Sequence, residues 1–165
     1  MADLLALSAD LPLRTIASGE VVIAEGSPPG TMFVLVSGSV VIERDGTAFA
    51  RIGTVGSVFG EMSVVLGRSA TATVRAAEDV EVRVVDDPMT FLLERPGAAI
   101  AVLRTTAARL DGVTRYLVDV KQQFADAEGH LAHLDQILDR LVHHQGPSAR
   151  TGSVRDPDDG HEHPA

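Results

Sequence analysis

The chain contains no cysteine and no tryptophan, and aromatic residues make up only 4% of its 165 positions. Without cysteine there is no disulfide, no thiolate metal site and no cysteine nucleophile. That absence suits a reducing compartment. With so few aromatics, a core has to be assembled from Val, Leu, Ile and Ala, and an apolar share of 45% is ample for one. Positive charge is also scarce: 14 Lys and Arg stand against 23 Asp and Glu, for a net charge of −9. Such a surface repels a phosphate backbone as a whole. Arg104, Arg109 and Arg115 are scattered along one segment and interrupted by acids, so no basic patch forms and direct DNA binding is not expected. No apolar run approaches the ~18 residues needed to cross a bilayer. The opening "MADLLALSADLPLR" is too short, and charged too early, for a signal peptide. The expectation is a cytoplasmic protein that does not engage membranes. Histidine is missing from residues 12–86, and all six histidines lie beyond residue 129. No nucleophile and base stand at a telling spacing, so an enzyme is not expected.

What is present falls into three zones. From 12 to 86, glycines separate short runs rich in β-branched residues: "EVVIAEG", "TMFVLVSG", "SVVIERDG", "TAFARIG", "TATVRAAE" and "DVEVRVVD". Strands of this length and spacing predict a small sandwich or barrel. Asp45-Gly46 is a hairpin signal, because both central residues of the tight turn need positive φ. "GSPPG" at 26–30 is a second turn. In "EVRVV" apolar and charged residues alternate, which predicts one buried and one wet face.

From about 88 to 145 the period changes to that of a helix. Leu103, Leu110, Leu117, Phe124, Leu131 and Leu138 recur every seven residues, and Thr106, Val113, Val120, Ala127, Leu134 and Leu141 follow three behind. These are the a and d positions of a heptad. A 3.5-residue period kept this long exceeds what one face of a small β domain can cover, so it predicts an intermolecular coiled coil. Gly112 and Gly129 fall off the seam. In a parallel homodimer His130 faces Asp135 and Gln123 faces Glu128, and neither pair repels. The seam alone accommodates two or three strands. The last zone, 146–165, is Pro, Gly, Ser and Asp with little to bury, and predicts a disordered tail. Its histidines, with His143 and His144, match no metal-site spacing. The expected division is a roll over 1–97, a long dimerisation helix over 98–145 and a tail over 146–165.

The order of phrases resembles the cyclic nucleotide-binding domain of catabolite-activator-type regulators, cyclic-nucleotide-dependent kinases and ligand-gated channels. "ASGEVVIAEGSPPGTMFVLVSGSVVI" resembles the opening jelly-roll strands, and "GTVGSVFGEMSVVLG" the strand and short helix of the phosphate-binding cassette. "TATVRAAEDVEVRVV" resembles the next two strands, and "TFLLERPGAAIAVLRTTAARL" the connecting helix and the start of the dimerisation helix. The resemblance runs from about Arg14 to Ala127. It implies a fold that is mainly β with α: a jelly roll, or β-roll, followed by a long C-terminal coiled-coil helix. It also implies a non-enzymatic regulatory module with cAMP or cGMP as ligand, signalling through a homodimer joined over residues 99–141 to an unidentified protein partner. The winged helix-turn-helix that DNA-reading members carry after this helix has no counterpart among these phrases.

The resemblance places the ribose carboxylate at Glu61, directly after Gly60, and aims the backbone N–H groups of Glu61 and Met62 at a phosphate. A carboxylate suits a sugar hydroxyl, and helix-start N–H groups suit an anion. By residue type alone, Glu61 is equally suited to the positive end of any surface helix. The family's phosphate arginine has two alignments here. Without gaps it falls on Ala70, with Thr71 as the neighbouring hydroxyl. Alternatively "RSAT" is the motif and Arg68 is the arginine, with a shorter loop before it. A strand shifted by two keeps its faces, so periodicity leaves both open. Thr114, Thr106 and Arg109 on the long helix are candidates to cap the base. If Ala70 stands for the arginine, the alternative function is a degenerate roll that binds no ligand and serves as a dimeric adaptor, and another small anionic ligand is a further alternative.

Overall fold

The structure, a computed structural model, describes residues 3–123 and 136–141. The chain divides into two compact units, Met1–Gly112 and Val113–Ala165. The first opens with a short helix α1 (Leu4–Leu7) and continues through β1 (Leu13–Ile16), β2 (Val21–Ile23), β3 (Met32–Ser37), β4 (Val40–Arg44), β5 (Thr47–Ile52) and β6 (Val58–Phe59). Helix α2 (Glu61–Leu66), β7 (Thr73–Ala76), β8 (Val80–Val85) and α3 (Pro88–Glu94) follow, and α4 (Pro96–Gln123) begins in this unit.

The strands form two antiparallel sheets of four, in the orders β1-β8-β3-β6 and β2-β7-β4-β5. Their period-two alternation feeds two cores. Phe33 and Leu35 of β3 point inward, with Ile16, Val40, Phe59, Val74, Ala76, Val80 and Val82. Met32 and Val34 of the same strand point the other way, onto Leu4, Val58, Val85, Phe91, Ala98 and Val102. Strand β3 is therefore buried on both faces, which is why "MFVLV" is a continuous apolar run rather than an alternating one. Across the inner core the rings of Phe33 and Phe59 stack with centroids 5.4 Å apart.

The β4–β5 hairpin turns through Asp45 and Gly46, at φ 49° and 74°, as the Asp-Gly signal requires. Strand β8 departs from the simple alternation expected of it. Arg83, on its outer side, is half-buried and donates to the Leu11 carbonyl at 2.8 Å, while Val85 is buried beneath the helices. That outer face is covered because α1, α3 and the first turns of α4 pack on it.

Arg95 separates α3 from α4. Pro96 after it disfavours helical geometry, and Arg95 sits at φ −123° and ψ 78°. Its guanidinium donates to the Leu7 carbonyl and to both Asp10 oxygens, at 2.7 and 2.6 Å, and lies 5.0 Å over the Phe91 ring. Because Ala98 and Val102 are core residues, the first turns of α4 belong to the packing of the roll.

In the second unit, α4 continues to Gln123 and residues 136–141 are helical. The seam positions Phe124, Ala127, Leu131 and Leu134, the pairings of His130 and Glu128, and the 146–165 tail lie outside the described residues. Among the described residues, no helix is long and apolar enough to cross a membrane.

Candidate functional site

Strand β6 ends in the core at Phe59, and the chain then has to turn sharply into α2. Gly60 makes that turn at φ 86°. A Cβ here would stand 2.8 Å from the Thr31 carbonyl oxygen and 3.0 Å from Ile23 Cδ1, so the position admits glycine alone without strain. Glu61 follows as the first residue of α2 and is only 3% exposed. Ser63 hydroxyl donates back to the Gly60 carbonyl at 2.9 Å, and Gly67, at φ 61°, ends the helix.

A buried carboxylate needs a partner. It comes from α4: Arg109 Nη1 lies 2.5 Å from Glu61 Oε1, and Arg109 Nη2 donates to the Val58 carbonyl at 2.5 Å. One guanidinium thus joins the helix to both sides of the Gly60 turn. Burial pushes the Glu61 carboxyl above its ordinary range; the Arg109 charge and hydrogen bond, and a bond from the backbone at Glu61, pull the other way without reversing it. The site is a desolvated acidic group held in a fixed direction, able to accept hydrogen bonds from a cation or a hydroxyl.

The second half of the cassette is organised differently. Arg68 is exposed on the turn after Gly67; its N–H bonds to the Ser63 carbonyl at 3.1 Å, and its side chain has no partner among the described residues. Ala70 is half-buried, and its backbone is already committed: its N–H donates to the Ser27 carbonyl at 2.9 Å and its carbonyl accepts from Gly26 N–H at 2.8 Å. Thr71 is half-buried beside it, and Thr73 begins β7 with its hydroxyl accepting from Glu25 N–H at 3.0 Å. Met62 is 49% exposed. Gly60, Glu61 and Met62 thus sit together at the start of α2, with Arg109 drawn in.

Of the other α4 candidates, Thr106 is exposed and its hydroxyl bonds back to the Val102 carbonyl at 3.1 Å. Thr114 belongs to the second unit and is half-buried. Arg109 as the partner of Glu61 is what sequence reasoning missed, having placed it only as a base cap. A partial signal was present: Ala98, Val102, Thr105 and Arg109 recur at helical spacing on a face distinct from the heptad seam, which groups Arg109 with the roll-facing row without pointing to Glu61. A shallow hollow of about 260 Å³ lies between Leu11, Val84, Asp87, Phe91 and Arg95 and shares no residue with the cassette.

The chain is similar to known proteins. Residues 13–109 match the family described as the cyclic nucleotide-binding domain. The cGMP-dependent protein kinase egl-4 of Caenorhabditis briggsae is 33% identical over 69 residues, which are 42% of this chain and 9% of the kinase. The N-terminal domain of a transcriptional regulator from Streptomyces coelicolor A3(2) superposes with a TM-score of 0.50 at 30% identity, covering 65% of this chain and 81% of that one. A structure from work on a cyclic-GMP-dependent signalling pathway that regulates bacterial phytopathogenesis gives a TM-score of 0.56 at 24% identity, over 68% of this chain and 94% of that one, a likeness of fold. The chain spans less than a tenth of the kinase it matches. With more than half of its residues matched, and the two-sheet roll and the Gly60–Glu61 turn in place, the chain belongs to the cyclic nucleotide-binding domain family.

Proposed function

We propose that the protein is a non-catalytic regulatory sensor that takes a cyclic nucleotide, cAMP or cGMP, at an atypical cassette. The observation that carries this reading is Glu61: a buried carboxylate, fixed by a left-handed glycine at the start of α2, inside a roll of the matching family. Its oxygens suit a ribose hydroxyl, and Gly60 lets the turn that carries it pack tightly on Thr31 and Ile23. The phosphate half fits less well. Ala70 offers no charge and its N–H is spent on Ser27, which leaves Arg68, exposed and without a side-chain partner among the described residues, as the cation nearest in sequence. The output runs through a coiled-coil homodimer over residues 99–141. It is supported by the apolar seam and by Leu103 and Val113, which are 64% and 53% exposed in the single chain.

Calorimetry with cAMP and cGMP tests the reading: heat on titration is expected, and none from either nucleotide at millimolar concentration sinks it. Ala70→Arg is expected to tighten binding about ten- to hundredfold, the worth of one charge-assisted hydrogen bond. A second reading, a roll that binds nothing and serves as a dimeric adaptor, is favoured by Ala70 itself. It prevails if binding appears only in Ala70→Arg.

A further inference from the structure

The Glu61 side chain is 4% exposed while that of Arg109 is 36% exposed. The carboxylate oxygens are therefore closed to solution, and the group beside them that can swing away is the arginine. Glu61 itself is buried at the start of α2, directly after a turn whose left-handed geometry and close fit against Thr31 only glycine satisfies. A guanidinium N–H and a sugar O–H make the same demand on a carboxylate, since both donate to its oxygens. Arg109 also ties its own turn of α4 to the end of β6 through Val58. Past Val102, none of the α4 residues from 103 to 112 is buried, so this stretch is fastened to the cassette by polar contacts rather than by core packing.

We propose that the Glu61–Arg109 ion pair is a latch: Arg109 holds the acceptor that a ligand hydroxyl requires, and a ligand that takes Glu61 releases the turn of α4 that carries Arg109. The latch rests on the reading of the cassette as a nucleotide site and gives that site its output. Binding energy is divided between contact with the ligand and opening of the pair. The apparent affinity is lowered by the fraction of molecules that are latched, and the same division converts occupancy into motion of α4.

The test uses the full chain, wild type and Arg109→Gln, in calorimetry with cAMP and cGMP, together with hydrogen exchange of the amides of residues 103–112. Arg109→Gln is expected to bind about tenfold tighter or more. Its 103–112 amides are expected to exchange, without nucleotide, as fast as those of the wild type do at saturation. Binding by Arg109→Gln alone also supports the latch. Equal or weaker binding by the variant overturns it and leaves the nucleotide reading standing, because Arg109 would then be supporting Glu61 rather than blocking it. No heat from either protein overturns both. Wild-type exchange gives a readout that does not depend on the variant folding: unchanged or slower exchange over 103–112 on saturation overturns the latch.

Discussion

Two faces of α4 carry apolar residues, and they have opposite fates. Ala98 and Val102 are buried against the roll, at 0% and 4% exposure, whereas Leu103 and Val113 stand 64% and 53% exposed. The first face follows the 3.6-residue period of a straight helix packed on a sheet, and it ends in a polar contact at Arg109. The second follows the 3.5-residue heptad, a period that only another helix satisfies over several turns. One sequence can hold both because neighbouring rows on a helix are independent surfaces. The roll recruits one row for its own stability and leaves Leu103 and Val113 of the other exposed.

Charging the roll-facing row produces the largest expected effect. Val102→Asp places an unpaired charge in the core and is expected to cost about 3–5 kcal/mol in a urea titration. If the roll tolerates it, the first turns of α4 are not part of the core. The seam should behave in the opposite way. Leu103→Ala with Val113→Ala keeps good helix formers, and should leave the unfolding free energy of the monomer within about 0.5 kcal/mol. In sedimentation the same double variant should shift the protein toward monomer; an unchanged dimer would place the interface elsewhere.

The smallest effect separates the two arginine anchors, Arg95 before α4 and Arg109 within it. Hydrogen bonding from Arg95, first of all, holds the Asp10 carboxyl down from 3.8 to about 2. Its contribution to stability is therefore present above that ordinary value and lost as pH falls toward 2. Glu61 is shifted the other way, raised chiefly by burial. Its contribution is present below the ordinary carboxylate value and lost as pH rises through the folded one. In urea midpoints measured against pH, Asp10→Asn should flatten the acid limb, and Glu61→Gln should remove a decline on the less acidic side. Parallel changes in the two variants would mean that the two anchors share one environment.

Much of the roll is legible in the sequence because its signals are local. Asp45-Gly46 specifies its own turn, and "MFVLV" betrays a strand covered on both sides. The Gly60–Glu61 junction is legible for a similar reason: a glycine forced by backbone geometry and a carboxylate beside it are neighbours in sequence. What was not legible depends on distance. Arg109 reaches Glu61 across 48 positions, and no spacing rule links them. The outer face of β8 was expected to be wet because alternation describes a sheet by itself and does not show which helices will cover it. The two alignments of the phosphate arginine stayed open for a different reason, since strand periodicity is blind to shifts of two.

Ala70 gives that ambiguity a material form. Its two backbone bonds to residues 26 and 27 stitch the loop to the neighbouring turn just before β7 begins. The stitch fixes the start of the strand independently of the side chains between Gly67 and Ser69. The short stretch between helix and stitch, which carries Arg68, is thus bounded on both sides by backbone hydrogen bonds.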